Sequence, residues 1–139
     1  MAIKMKAYQI KDIKNFMNIF LNSETFDHFY LEKATIVMGI SYFLDGRIIE
    51  DFYQAEELEL LGNQKPLFTR WRDTRTNCIQ LIKGKKTPVA FQFTLLADPE
   101  NFNNLSDPMI QAYVVNIKFE QGVLKCVTAV SYSGFTLDK

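Results

Sequence analysis

Three segments in the last third of the chain alternate apolar and polar residues, and this restricts the fold more than any other feature. In VAFQFTLL, YVVNIKFE and VLKCVTAVSY, every second residue is apolar over most of the length. A period of two places those side chains on one face of a strand. Gln121 and Gly122 separate the last two segments, which predicts a tight hairpin. The chain therefore needs a mostly antiparallel sheet with one buried face.

A short strand and an amphipathic helix are predicted before these segments. The strand covers residues 4–10, and apolar residues then recur at helical spacing. They are Ile10, Ile13, Phe16, Met17, Phe20 and Leu21. The opposite face of this helix carries Lys11, Lys14 and three asparagines. The first helix is therefore predicted to present a polar, basic face to solvent.

The middle of the chain mixes strand and turn signals. Residues 26–43 are rich in β-branched and aromatic side chains, which fit either one long strand or two short ones. Asp45 and Gly46 predict a hairpin with a return strand over residues 47–53, because primed turns favour this dipeptide. The sequence AEELELLG predicts one or two helical turns that end at Gly62.

A second main helix is predicted from Asp73 or Thr74 to Gly84. Cys78, Ile79 and Ile82 form the apolar side of this helix. A start at Trp71 would place Arg75 on that apolar side, so the later start is favoured. Gly84 is expected to cap the helix C-terminus, and Pro88 prevents continuation. The element order predicts an α+β fold, a mostly antiparallel sheet with two main helices on one face. At 139 residues, the chain is expected to form a single domain over 1–139.

The stretch Gly84-Lys85-Lys86-Thr87 looks like the end of a phosphate-binding loop, but its context excludes that function. Such a loop needs another glycine five positions earlier, where this chain has Ile79. It also needs a strand before and a helix after, and the predicted order here is the reverse. The dipole at a helix C-terminus is negative, which favours lysines locally and not phosphate.

No residue pattern predicts catalysis, a metal site or a cofactor. His28 is the only histidine, and no nucleophile elbow or metal-ligand motif accompanies it. The acids Asp51, Glu56, Glu57 and Glu59 are expected to solvate a helix face. Cys78 and Cys126 lie in apolar stretches, as buried reduced thiols would. The protein is therefore expected to be non-enzymatic.

The expected location is the cytoplasm, and no membrane contact is expected. The N-terminus lacks an apolar stretch of the kind that a secretory signal requires. No apolar run reaches the length of about 18 residues that a spanning helix needs.

Charge is unevenly distributed although the chain is neutral overall. Residues 70–86 hold six bases and one acid, whereas residues 45–59 hold six acids and one base. One interpretation is that these runs only solvate the surface. The other is a surface that faces a polyanion. The predicted phosphate contacts are Lys11, Lys14, Arg70, Arg72, Arg75, Lys83, Lys85 and Lys86.

The chain has resemblances to two kinds of known protein. The segments DIKNFMN, TFDHF, LDGRI, DFYQAEELE and LIKGKKTP resemble an uncharacterised bacterial family of domains of unknown function. That resemblance implies no activity and no catalytic residues.

The predicted element order also resembles one domain of a DNA sliding clamp, in which two helices per domain line the DNA hole. The resemblance implies a basic two-helix face, with Lys11 and Lys14 on one helix and Arg75, Lys83, Lys85 and Lys86 around the other. The chain departs from clamps in having one domain, so a ring would require self-assembly.

Two hypotheses follow for a non-catalytic binding protein. The first is a clamp-like nucleic-acid accessory module that uses the basic two-helix face. The alternative is a protein–protein interaction or self-assembly module, with edge strands as the contact of a homo-oligomer or with the acidic region as the contact.

Overall fold

The structure, a computed structural model, describes residues 3–61, 68–84, 86–97 and 110–132. The predicted helix stop at Gly62 lies outside these ranges, and so do residues 98–108, whose prolines and asparagines predict a polar loop. The described elements follow in chain order. They are β1 (Ile3–Ile10), α1 (Ile13–Asn22), β2 (Tyr30–Val37), β3 (Ser41–Asp45), a 3-10 turn (Glu50–Phe52), α2 (Ala55–Leu61), β4 (Thr69–Arg70), α3 (Trp71–Ile82), β5 (Ala90–Ala97), β6 (Ile110–Glu120) and β7 (Val123–Tyr132).

The strands form one antiparallel sheet in the order β1-β7-β6-β5-β2-β3. The short strand β4 also pairs with β2 but is not part of this order. This confirms the predicted α+β class and its antiparallel sheet. Residues 26–43 hold two strands, β2 and β3, preceded by turns in which the Phe29 amide donates to the Phe26 carbonyl. At the β6–β7 turn, Gln121 has φ 52° and Gly122 has φ 75°. These left-handed conformations confirm the predicted tight hairpin.

The buried face of the sheet carries both main helices, as predicted. Phe93 of β5 is fully buried at its centre. Its ring lies 5.0 Å from that of Phe20 on α1 and 5.4 Å from the indole of Trp71 on α3. The opposite face is partly polar, and there the side chains of Gln92 and Thr94 both donate to the side-chain Oδ1 atom of Asn116. Alternation along the strands thus assigns the apolar residues to the helix side.

The predicted hairpin at Asp45 and Gly46 is wrong, because residues 47–53, which the structure describes, contain no return strand. The chain makes one isolated bridge at Arg47, and a 3-10 turn occupies residues 50–52. Gly46 serves a different purpose. A Cβ added there would lie 1.8 Å from the carbonyl oxygen of Leu31, so β2 approaches the Gly46 backbone too closely for any side chain. A glycine required for close approach gives the same sequence signal as a turn glycine.

The predicted start of α3 is also wrong. The helix begins at Trp71, and Arg75 does lie on its inward side. A charged residue is tolerated there because Arg75 forms an ion pair with the largely buried Asp27.

The end of α3 differs in detail from the predicted glycine cap. The helix ends at Ile82, Lys83 is the capping residue with φ −77°, and its amide donates to the Ile79 carbonyl. Among the described glycines only Gly122 has a left-handed φ, so Gly84 follows the helix without the conformation of a glycine cap.

Candidate nucleic-acid interface

The last turn of α1 lies against the first turn of α3. The Trp71 indole stacks on the Phe20 ring with centroids 4.4 Å apart and planes inclined by 12°. The indole Nε1 also donates to the Phe20 carbonyl oxygen over 3.1 Å. Carbonyls in the last turn of a helix lack partners within the helix, so Trp71 satisfies one of them. This contact holds the two helices side by side.

Arg75 completes the same junction from the second turn of α3. Its Nε and Nη2 atoms donate to the two carboxylate oxygens of Asp27 over 2.9 and 3.0 Å. Its Nη1 atom donates to the carbonyl oxygen of Leu21 over 3.3 Å. A cation at a helix C-terminus is favourable because the dipole there is negative. All three guanidinium nitrogens have partners within the protein, which assigns Arg75 to the helix junction.

Arg70, directly before α3, is similarly engaged. Its guanidinium carbon lies 4.5 Å from the centroid of the Tyr30 ring, a cation–π contact. Nη1 donates to the carbonyl oxygen of His28 over 3.1 Å, and Nη2 donates to the Tyr30 hydroxyl over 3.0 Å. Arg70 therefore anchors the start of α3 to the start of β2.

The other described cations of the predicted set are exposed, while Lys85 lies outside the described residues. The exposed cations are Lys11, Lys14, Arg72, Lys83 and Lys86. Arg72 lies 3.8 Å from Asp73, and both side chains are more than half exposed. Exposed pairs of this kind hold the partners weakly, so Arg72 remains open to a ligand.

Neutral hydrogen-bonding side chains fill the exposed surface around these cations. We call the outer surface of α1 and α3, together with the exposed residues just before α1 and just after α3, the helical layer. Its exposed amide and hydroxyl residues are Asn15, Asn18, Asn22, Thr76, Asn77 and Gln80. The acids on it are Asp73, beside Arg72, and Asp12, whose carboxylate caps α1 by accepting from the backbone N–H of Asn15 over 3.1 Å. The layer therefore combines cations with phosphate-compatible donors.

The strand register places the lysines of the two helices at the same end of the sheet. Lys11 and Lys14 follow Ile10, which pairs with Leu124 next to the β6–β7 turn. Lys83 and Lys86 precede β5, whose Phe91 pairs with Phe119, itself paired with Leu124. The N-terminus of α1 and the C-terminus of α3 therefore both lie at the end of the sheet that carries the β6–β7 turn. Arg72 lies at the opposite end, where α3 begins.

The acidic region is a separate part of the surface. The exposed carboxylates Glu50, Asp51, Glu56, Glu57 and Glu59 lie on the 3-10 turn and α2. At the end of β3, Asp45 lies 4.0 Å from Arg47, with both side chains exposed. Acids and bases are therefore segregated by element, as their distribution in the sequence predicts.

Within the described ranges, no group of three or more His, Cys, Asp or Glu residues is close enough to hold a metal ion. His28 is exposed, and its backbone carbonyl accepts from Arg70. Burial raises the pKa of the Cys78 thiol to about 12 and also raises the pKa of Cys126. A thiol that stays protonated is a poor nucleophile, so Cys78 is a packing residue.

No helix in the described part of the chain has the length and apolar character needed to cross a membrane.

A family model described as a family of unknown function (DUF5721) matches residues 19–139. The chain belongs to the DUF5721 family. The match includes Asp27, Trp71 and Arg75 of the helix junction, whereas Lys11 and Lys14 precede it. It confirms the resemblance to a family of domains of unknown function. No curated protein and no solved structure matches the DUF5721 chain, so the clamp resemblance gains no support from these comparisons.

Two residues that organise the helix junction of this DUF5721 member, Asp27 and Trp71, were not predicted from the sequence. A signal for Asp27 was present, since an acid among the aromatic residues of TFDHF stands in an apolar setting. Arg75 in the apolar arc of α3 was the matching signal, because a buried charge requires a partner. The sequence thus contains one unexplained acid and one unexplained base, and the fold identifies them as partners.

Proposed function

We propose that the protein binds the phosphate backbone of nucleic acid, without catalysis, through the helical layer. The observation that carries this proposal is the composition of that layer: exposed cations, neutral donors, and acids that already cap a helix or lie beside an arginine. Amides, hydroxyls and ammonium groups donate to phosphate oxygens, and none of them requires a particular base. The contacts are Lys11, Lys14, Arg72, Lys83 and Lys86, with Lys85 as a further predicted contact.

Two paired helices on one sheet face also support the finer part of the proposal, a clamp-like accessory module. The helix junction gives the layer a fixed geometry, since Trp71 and Arg75 of α3 bind carbonyls in the last turn of α1. A fixed pair of helices can present two rows of cations to one duplex. In this proposal the acidic region faces away from the nucleic acid.

Salt dependence of binding tests the proposal. Each neutralised phosphate contributes a slope of about −0.9 to a plot of log K against log salt concentration for duplex DNA. Five contacts predict a slope of about −4 to −5. Fluorescence anisotropy with labelled 20-base-pair duplex and single-stranded DNA, between 50 and 300 mM NaCl, measures it. Absence of binding at 50 mM NaCl would refute the proposal.

Charge-reversal variants locate the contacts. We expect Lys11→Glu/Lys14→Glu and Lys83→Glu/Lys86→Glu each to weaken binding at least tenfold and to reduce the slope. The matched control is Lys118→Glu/Lys125→Glu, which makes the same charge change on the sheet face opposite the helices. Equal losses in all three variants would show that net charge matters and that the helical layer does not.

A further inference from the structure

An acidic surface with exposed apolar side chains follows β3. We call residues 49–60 the acidic segment. It contains five acids and no base, and its large apolar side chains are exposed: Ile49 by 71%, Phe52 by 81% and Leu60 by 88%. Most of α2 is exposed, and Leu58 is half-buried. Apolar side chains of this size, left open beside carboxylates, fit a partner that is both apolar and basic.

The same chain carries a surface of that kind near the other end of β2. Ile40 and Val89 are each 65% exposed. Both adjoin the end of β2, since the Val89 amide donates to the Val37 carbonyl and Val37 pairs with Ser41, the residue after Ile40. Lys83 and Lys86 are exposed just before Val89 in the chain. We call Ile40, Lys83, Lys86 and Val89 the basic patch.

The two surfaces lie near opposite ends of β2. The approach to the acidic segment is fixed at Gly46, whose amide donates to the Glu32 carbonyl and whose carbonyl accepts from the Thr69 amide. Thr69 pairs with Leu31, six residues before Val37, which corresponds to about 20 Å along the strand. The apolar side chains of both surfaces stay exposed, so neither surface covers the other within one chain.

We propose that the acidic segment of one copy binds the basic patch of a second copy. Charge complementarity carries the proposal, because the segment has only acids and the patch has only bases, with apolar side chains in both. Two different surfaces that meet in this way form a head-to-tail contact, which leaves one unused segment and one unused patch on every dimer. The assembly therefore grows with concentration and weakens with salt.

Sedimentation of the full chain, without nucleic acid, tests this assembly. At 50 mM NaCl the weight-average mass should rise from monomer toward dimer and trimer as the protein concentration increases from 10 μM to 1 mM. At 500 mM NaCl the same series should show less association. A monomer throughout both series would overturn the proposal.

Two variants at exposed positions establish the head-to-tail arrangement. Ile40→Glu/Val89→Glu removes the patch, and Ile49→Lys/Phe52→Lys removes the segment. Each variant alone should be monomeric, whereas their equimolar mixture should form a dimer and nothing larger, since one intact segment meets one intact patch. A variant that still dimerises alone, or a mixture that remains monomeric, would contradict the arrangement.

A neutral variant of the acidic segment also separates this inference from the proposed nucleic-acid function. Ile49→Ser/Phe52→Ser adds no charge and lies away from the helical layer, so its binding to a short duplex at micromolar protein should stay within about threefold of the natural chain. Self-association would then be lost without loss of nucleic-acid binding. If this variant lost both self-association and nucleic-acid binding, the two activities would not use separate surfaces, and the inference would be refuted.

Discussion

The carboxylate of Asp27 holds the guanidinium of Arg75 at two points, Oδ1 to Nε over 2.9 Å and Oδ2 to Nη2 over 3.0 Å. Only 9% of the Asp27 side chain and 19% of the Arg75 side chain are exposed. The third guanidinium nitrogen binds the Leu21 carbonyl oxygen, so one ion pair connects α3, the last turn of α1 and the turn before β2.

Removal of the carboxylate should destabilise the fold strongly. Asp27→Ala leaves the Arg75 cation largely buried without its counter-charge, and loss of one partner of a buried pair costs about 3 kcal/mol. Urea unfolding followed by circular dichroism measures the change in the free energy of unfolding.

The double variant Asp27→Ala/Arg75→Met serves as the control. Because it removes both charges and keeps an aliphatic side chain, it should recover at least half of the stability that Asp27→Ala loses. A double variant no more stable than Asp27→Ala would show that the pair does not act through its charges.

The Trp71 hydrogen bond is a second test of the helix junction. Trp71→Phe keeps an aromatic ring near Phe20 but leaves the buried Phe20 carbonyl without its indole donor. A loss of about 2 kcal/mol is expected, against about 4 kcal/mol for Trp71→Ala, which also removes the ring. If Trp71→Phe matched the natural chain in thermal and urea unfolding, the hydrogen bond would contribute nothing.

Gly46 tests the close approach of β2. Gly46→Ala would place a methyl group 1.8 Å from the Leu31 carbonyl oxygen, and backbone atoms would have to move. We expect a loss of about 3 kcal/mol. The matched control is Gly39→Ala, where a new Cβ has no atom within 4 Å, and it should change stability by less than about 0.5 kcal/mol. Equal effects at the two positions would refute this role for Gly46.

Alkaline pH should destabilise the fold through Cys78. Its pKa is raised from 9.0 to about 12 by burial, so above pH 9 the unfolded state loses this proton while the folded state keeps it. The contribution of the buried neutral thiol is fully present below pH 9 and falls by about 1.4 kcal/mol per pH unit until about pH 12. Unfolding at pH 7, 9 and 10 should therefore show a smaller alkaline loss for Cys78→Ala, and identical losses would exclude Cys78 as the cause.

The sequence was sufficient to predict elements with strong periodicity. Alternation predicted β5, β6 and β7, and the helical spacing from Ile13 to Leu21 predicted α1, because each pattern reports which side of an element is buried. The tight β6–β7 turn followed from Gly122. These features are local, so a short window of residues contains the whole signal.

Features that depend on distant partners were not predicted. Gly46 appeared to be a turn glycine because the carbonyl it must avoid belongs to Leu31, in another strand. A helix start at Trp71 places Arg75 among the apolar residues of α3, which favoured a later start, and its partner Asp27 lies almost fifty residues away in the chain. The exposed state of Lys11, Lys14, Lys83 and Lys86 was predictable, whereas the internal contacts of Arg70 and Arg75 required the fold.

The pairing of β1 with β7 has a mechanical consequence. Ile3 pairs with Ser131 at one end of the ladder, and Ile10 pairs with Leu124 at the other. A load that pulls Ile3 away from Ser131 therefore acts on one end of the antiparallel ladder and opens its hydrogen bonds one pair at a time. Such unzipping needs less force than shearing all pairs together, so β1 should peel away while the rest of the sheet stays folded.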